Sequence, residues 1–179
     1  RFMKQSRTFR IGLVLMLSTL VSACSSLALT ALNTPSYLLN AHTAIKNIPY
    51  GDLSHQTLDL YLPDDGIPPK QQLVVFIYGG SWTSGRKENY YFVADALTSA
   101  GYSVAIPDYI KYPNGAFPAF VEDVALAMAW LDQSSQDYLP EVNAIALMGH
   151  SAGAHTGALL ITDTRYLRAE RPLGLQRAE

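Results

Sequence analysis

Ser151 stands between Gly149 and Gly153 in the stretch Leu147-Met148-Gly149-His150-Ser151-Ala152-Gly153-Ala154, where an apolar run meets residues rich in helix formers. A serine hydroxyl is most available to a substrate when a sharp backbone bend lifts it clear of the surrounding sheet. Such a bend presses neighbouring segments together, so its flanks carry little more than hydrogen, as Gly149 and Gly153 do. The amide of Ala152, opening the helix, then points where an acyl oxygen would become negative, and His150 is the variable residue of the bend. The chemistry that suits this pattern is acyl transfer through a covalent serine intermediate. A bare G-x-S-x-G match is weak; a strand before it and a helix after it give it weight.

A second glycine pair lies about 70 residues upstream, in Leu73-Val74-Val75-Phe76-Ile77-Tyr78-Gly79-Gly80-Ser81-Trp82. An apolar strand ends there with backbone N–H groups unobstructed by side chains. Alone, this reads as a tight strand-to-loop turn. Paired with the serine bend, the amides of Gly79, Gly80 and Ser81 join that of Ala152 as candidates for an oxyanion hole, whose donors are each typically worth roughly 100- to 1000-fold in rate. Tyr78 and Trp82 flank this loop as candidate pocket residues, and packing is the competing role for Trp82.

In this order the motifs resemble the α/β-hydrolase fold, and within it the carboxylesterases and feruloyl-esterase-like lipoproteins with an H-G-G-x-W loop. The resemblance runs from about Tyr50 to Ile161. It rests on Tyr50-Gly51, Leu58-Asp59-Leu60-Tyr61-Leu62-Pro63, Tyr78-Gly79-Gly80-Ser81-Trp82, Pro107-Asp108-Tyr109, Phe117-Pro118-Ala119 with Asp123, and Gly149 to Gly153. Two positions depart from the pattern: Tyr78 replaces a histidine, and Ile110 stands where an arginine commonly follows Asp-Tyr. The resemblance implies structural roles for Asp108 and Asp123, and a triad in the order serine, acid, histidine. After Ser151 the sole histidine is His155, four positions along the helix and projecting from its first turn, while Asp163 has no histidine beyond it. The resemblance therefore implies an N-terminal part of the domain, with the last strands, the acid and the histidine absent from these residues. The expectations are little turnover by this polypeptide alone and an unpaired apolar edge on the strand Asn143 to Met148.

Positioning these groups requires a sheet. Leu58, Leu60 and Leu62 alternate with Thr57, Asp59 and Tyr61, the period of a half-buried strand over Gln56 to Leu62, with His55 hydrogen-bonded at its start. Ser84-Gly85-Arg86-Lys87 reads as a polar turn, and Tyr90 to Ala100 as a helix ended by Gly101. A strand over Tyr102 to Ile106 follows, then a sheet-packing helix from Pro118 to about Leu131, in which Asp123 braces a loop. The tail from Thr164 is charged and reads as solvated helix or loop. This alternation predicts an α/β fold, a mainly parallel sheet with helices on both faces, and an active site at the carboxyl ends of the strands.

At the N-terminus Arg1, Lys4, Arg7 and Arg10 precede the apolar run Ile11 to Val21, which is short of the roughly 20 residues needed to span a bilayer. Val21-Ser22-Ala23-Cys24 resembles the bacterial lipobox, which implies a signal peptide over 1–23, lipidation of Cys24 and anchoring in the cell envelope; Ser25 favours the outer membrane. Residues 24–47 then read as a tether ending in a short helix from Tyr37 to Lys46 that carries His42, with the catalytic domain over 48–179.

Composition removes other classes of function. Without its first ten residues the chain has nine basic residues against fifteen acidic ones, which argues against a nucleic-acid partner. One cysteine makes neither an internal disulfide nor a cysteine-based zinc site, the four histidines lack metal-ligand spacing, and no cofactor is implied. Three readings stay open: a lipid-anchored serine esterase taking small ester substrates, an amidase or peptidase on the same framework, and a non-catalytic tethered remnant.

Overall fold

In the computed structural model, which describes residues 27–34 and 42–169, β3 (Gln72–Ile77) and β5 (Ala144–Gly149) run parallel in register from Gln72 opposite Ala144 to Ile77 opposite Gly149. On its other side β3 pairs in parallel with β4 (Ser103–Pro107). β1 (His42–Pro49) and β2 (Thr57–Pro63) complete the order β1-β2-β4-β3-β5. Both the β1–β2 and β2–β4 ladders are antiparallel. The sheet is thus mixed, and the expected parallel arrangement holds for β4, β3 and β5. The link from Pro49 to Thr57 is too short for the crossover that a parallel pair needs, which takes about a dozen residues or more.

β1 corrects the helix expected from Tyr37 to Lys46: from His42 onward the chain is a strand of this sheet. Its pattern is hard to recognise because the register shifts between Ile45 and Ile48, a bulge that breaks the alternation. Asn47 sits in this bulge at φ 57°, a conformation that asparagine tolerates, and its amide donates to Asp59 Oδ1 at 2.9 Å. Upstream, where a tether was expected, residues 27–34 form a helix, α1. The lipobox and Cys24 lie outside the described residues.

Helices cover both faces of the sheet. α2 (Tyr91–Thr98), entered through a 3-10 turn (Lys87–Tyr90), packs on the face that carries Tyr61, Phe76, Val104 and Ile106. On the opposite face α3 (Ala119–Tyr138) sets Ala127 and Leu131 against Leu58, Leu60, Leu73 and Val75, while α4 (Ala152–Thr162) packs on β3 and β5. α5 (Arg165–Ala169) lies against α3. Coverage on both sides explains why β2 is buried on its polar face as well, including Asp59 and Tyr61. β5 differs: among the described residues it pairs on one side only, and Ala144, Ala146 and Met148 are exposed, in keeping with the edge expected there.

Lys87, expected in a polar turn, is 2% exposed in the core. Its ammonium donates to Asn47 Oδ1 at 2.7 Å and Thr57 Oγ1 at 3.2 Å, and lies 3.5 Å from Asp59 and 3.6 Å from Asp108. Asp59 also pairs with Lys46 at 3.1 Å. A buried charge is tolerated only when paired and fully hydrogen-bonded, so removing one partner strands the others. Lys87→Met should cost about 3 kcal/mol in urea unfolding; a loss under about 1 kcal/mol, typical of an exposed pair, would refute this account.

Burial and the neighbouring aspartates raise the pKa values of the Tyr50 and Tyr78 phenols well above the usual 10, and burial does the same for Tyr109. A phenol whose folded pKa is raised stabilises the fold fully below pH 10, and that stability is lost as the pH climbs further. Lys46 and Lys111, lowered chiefly by burial, act in the opposite sense as the pH approaches their usual 10.5. The tyrosines dominate above that, so stability should fall steeply on the alkaline side. Absorbance at about 295 nm should show these phenols ionising together with loss of circular dichroism; their independent titration in the folded protein would contradict it.

Candidate active site

β5 runs apolar to Met148, turns at Gly149-His150, and enters α4 at Ala152. Ser151, at the turn, has φ 53° and ψ −120°, a region that a side chain occupies only under strain. The turn survives because it is locked on both sides. The His150 amide donates to Ile77 O at 3.0 Å, and the Gly153 amide donates to His150 O at 2.9 Å. A Cβ on Gly153 would lie 2.0 Å from the Ile77 carbonyl oxygen, and one on Gly149 would lie 2.6 Å from Ala154 Cα. Backbone fills both spaces, so only glycine fits.

The upstream glycines meet this turn. A Cβ on Gly79 would lie 3.0 Å from Ser151 Cβ and 2.8 Å from His150 Nδ1. The loop beyond is coiled: Gly80 has φ 138°, Ser81 and Trp82 have φ 54° and 56°, and the Gly80 carbonyl accepts from the amides of Thr83 and Ser84, both at 3.0 Å. Of the four non-glycine residues at positive φ among those described, three therefore lie at this site. Among the described residues the amides of Gly80, Ser81 and Ala152 donate no hydrogen bond, and Ala152 is itself buried. The Gly79 amide differs from these in lying against the Tyr90 hydroxyl, where it favours the ionised phenol against the larger, opposing effect of burial.

Tyr78 and Asp108 explain both departures from the H-G-G-x-W pattern. The Tyr78 hydroxyl donates to Asp108 Oδ1, and its ring stacks between Tyr109 and Tyr90, with centroids 4.7 and 5.7 Å away. Without an arginine at position 110, Asp108 is held by the Lys87 amide at 3.2 Å and by the ammonium groups of Lys87 and Lys111 at 3.6 and 3.8 Å. Asp123 accepts from the Ile110 amide at 2.7 Å and from Gln56 Nε2 at 2.7 Å, and pairs with His55 Nε2 at 2.9 Å, bracing the loop after β4. Lys87 is the site-supporting residue that local sequence did not reveal.

Trp82 is half-buried, stacked on Phe120 at 5.5 Å and edge-on to His155 at 5.4 Å, with Nε1 donating to Thr156 Oγ1 at 3.3 Å. His150 contacts Tyr90, with Nδ1 3.3 Å from its hydroxyl, and Asp163 pairs with Arg165 at 2.6 Å. His42 belongs to β1, and nothing of its side chain is described. Among the described residues no side chain hydrogen-bonds the Ser151 hydroxyl, and no group of three His, Cys, Asp or Glu residues could hold a metal ion. The arrangement offers an exposed hydroxyl on a strained turn beside unpaired amides. Those are the parts that form an acyl-enzyme and stabilise its tetrahedral precursor.

The family model BD-FAE matches residues 58–173, which include the whole of this site. Over 129 residues the chain is 36% identical to isoprenylcysteine alpha-carbonyl methylesterase of Arabidopsis thaliana, covering 70% of this chain and 30% of that one. It is 30% identical over 118 residues to kynurenine formamidase of Danio rerio, covering 66% and 39%. The chain thus spans well under half the length of these relatives. The esterase of Pyrobaculum calidifontis superposes with a TM-score of 0.64 at 29% identity, over 82% of this chain and 46% of that one. Fold, site geometry and sequence agree: the chain belongs to the BD-FAE family of α/β-hydrolase carboxylesterases.

Proposed function

We propose that this domain is the nucleophile-bearing part of a serine carboxylic-ester hydrolase. Ser151 attacks the ester carbonyl, and the amides of Gly80, Ser81 and Ala152 receive the developing oxyanion. Gly79 serves by close approach, leaving room for the serine. One observation carries this reading: the two glycine-lined bends converge, a Cβ on Gly79 lying only 3.0 Å from Ser151 Cβ. Tyr78 and Trp82 hold the loop from either side, with Trp82 presenting one edge toward the substrate. Lipidation of Cys24 places the domain at a bacterial membrane, and Ser25 directs it to the outer one.

Amide hydrolysis is the second reading, favoured by the formamidase relative. Nucleophile and oxyanion donors serve both reactions equally, because the tetrahedral intermediates carry the same charge on oxygen. The two differ at the leaving group, which for an amide must be protonated as it departs. On a longer chain that also supplies the acid and the histidine, a panel of 4-nitrophenyl esters and the matching anilides separates them: ester turnover with inert anilides supports the first reading, and the reverse order supports the second.

A fluorophosphonate probe should label a longer chain that also supplies the acid and the histidine, and Ser151→Ala should abolish labelling; equal labelling of both would remove the nucleophile assignment. Gly79→Ala forces a methyl group into space occupied by His150 and Ser151, and displacing a reacting group by about 1 Å costs roughly 100-fold. The labelling rate should fall accordingly while the circular-dichroism spectrum is retained. An unchanged rate would show that residue 79 does not set the position of Ser151.

A further inference from the structure

Helix α1 is joined to the site by specific contacts. Asn33, 6% exposed, donates from Nδ2 to Asn89 O at 2.9 Å and accepts from the Phe92 amide at 2.9 Å, while Leu29 packs on the core cluster that includes Tyr90 and Tyr91. Tyr90, between those two anchor points, contacts His150 of the serine turn. With Leu29 and Asn33 facing inward at i and i+4, the outward residues are Leu27, Ala28, Ala31 and Thr34, flanked by Thr30 and Leu32. Leu27 is 69% exposed and Leu32 52%, and no charged residue occurs between Ser25 and Ile45. An outward surface that bears no charge and exposes two leucines is unusual for a helix bathed only in water.

Other exposed apolar side chains lie at the same end of the molecule. Phe117, 60% exposed, reaches the oxyanion loop through Phe120 and Trp82, and the Tyr112 amide donates to Trp82 O at 2.8 Å. Leu53 lies in the loop after β1, at the end where β1 and β4 finish together, as Pro49 pairs with Thr57 and Pro107 with Leu58. Cys24 precedes α1 by three positions, a span of at most about 11 Å even fully extended.

We infer that α1 and the aromatic rim around Trp82 rest on the lipid bilayer, so that the mouth above Ser151 opens onto the membrane surface. The inference rests on the lipoprotein reading of Cys24. A lipid at that position cannot hold the domain far from the bilayer, because the docked α1 follows almost at once. The helix then adds a contact of its own, by burying its exposed leucines in the headgroup boundary. Esters that partition into this boundary reach the serine directly.

The test uses the full chain, lipidated in a bacterial host and reconstituted in phosphatidylethanolamine–phosphatidylglycerol vesicles that contain a nitroxide lipid. Leu32→Cys, Phe117→Cys and Tyr138→Cys each carry a bimane label; Tyr138 lies at the opposite end of the sheet, beside Pro63 and Ser103. Quenching at positions 32 and 117 should exceed that at 138 by about threefold or more, given the insertion depth of interfacial helices. Equal quenching at all three, with the lipid on Cys24 verified by mass spectrometry, would overturn the inference and leave lipidation standing. An unmodified Cys24 would overturn lipidation instead. The same labels are therefore also read on the Cys24→Ala chain at high vesicle concentration, where selective quenching at 32 and 117 supports the surface and its absence refutes it.

Discussion

Backbone presses on backbone where the tips of β3 and β5 meet, and this contact fixes everything near the serine. The Ile77 carbonyl accepts the His150 amide while Gly153 passes so close that a methyl group has no room. Neither strand tip can shift without breaking the other's geometry. The strain at Ser151 is local, of order 1–3 kcal/mol by the usual cost of such conformations, and it is held by a ladder running the full length of both strands. Burial of α4 residues Thr156, Gly157 and Leu160 supplies the remaining restraint. The hydroxyl is thus positioned chiefly by main chain, and it keeps its place only while residues 79, 149 and 153 add no side chain beside it.

How much could be read from the sequence depended on how far each feature's partners lie along the chain. β3, β5 and α4 were legible because their apolar runs and glycine punctuation are local. α2 and β4 were legible for the same reason, through Gly101 and the branched residues after it. α3 extends past Leu131 to Tyr138, since its polar last turns contain no Gly or Pro to stop it. β1 was missed because its bulge destroys the alternation that marks a strand and its evidence is the pairing with β2. Lys87 looked like a turn residue because its partners, Asn47, Thr57, Asp59 and Asp108, are 20 or more positions away. The convergence of Gly79 with Ser151 was legible only as two motifs whose known roles demand proximity.

Beneath the Gly79-Gly80 loop lies a charged layer that the two glycine motifs do not announce. Asp108 receives the Tyr78 hydroxyl on one side and Lys87 on the other, and Lys87 continues to Asp59, Asn47 and Thr57. This joins β1, β2, β4 and the 3-10 turn at the point from which the loop departs. An apolar layer could fill the same volume, but dispersion forces have little directional preference, whereas hydrogen-bonded charges fix orientation. Orientation is what the proposed role of the loop demands, since an amide stabilises an oxyanion only when its N–H is aimed beforehand.

Residue 78 shows how that aim is set. Its carbonyl accepts the Tyr109 hydroxyl at 2.8 Å, and its own hydroxyl donates to Asp108, so the residue is pinned at both ends. Stacking between Tyr109 and Tyr90 holds the ring between those pins. With the Tyr78 carbonyl fixed, the peptide plane leading into Gly79 is fixed as well, and the Gly80 carbonyl is tied inward by Thr83 and Ser84. Two consecutive turns of the main chain are thereby held in place, leaving the Gly80 and Ser81 amides without partners among the described residues. A tyrosine in place of the family's histidine preserves this because what the position needs is a long, buried donor that reaches Asp108, and the phenol stays protonated where burial and the neighbouring carboxylate raise its pKa.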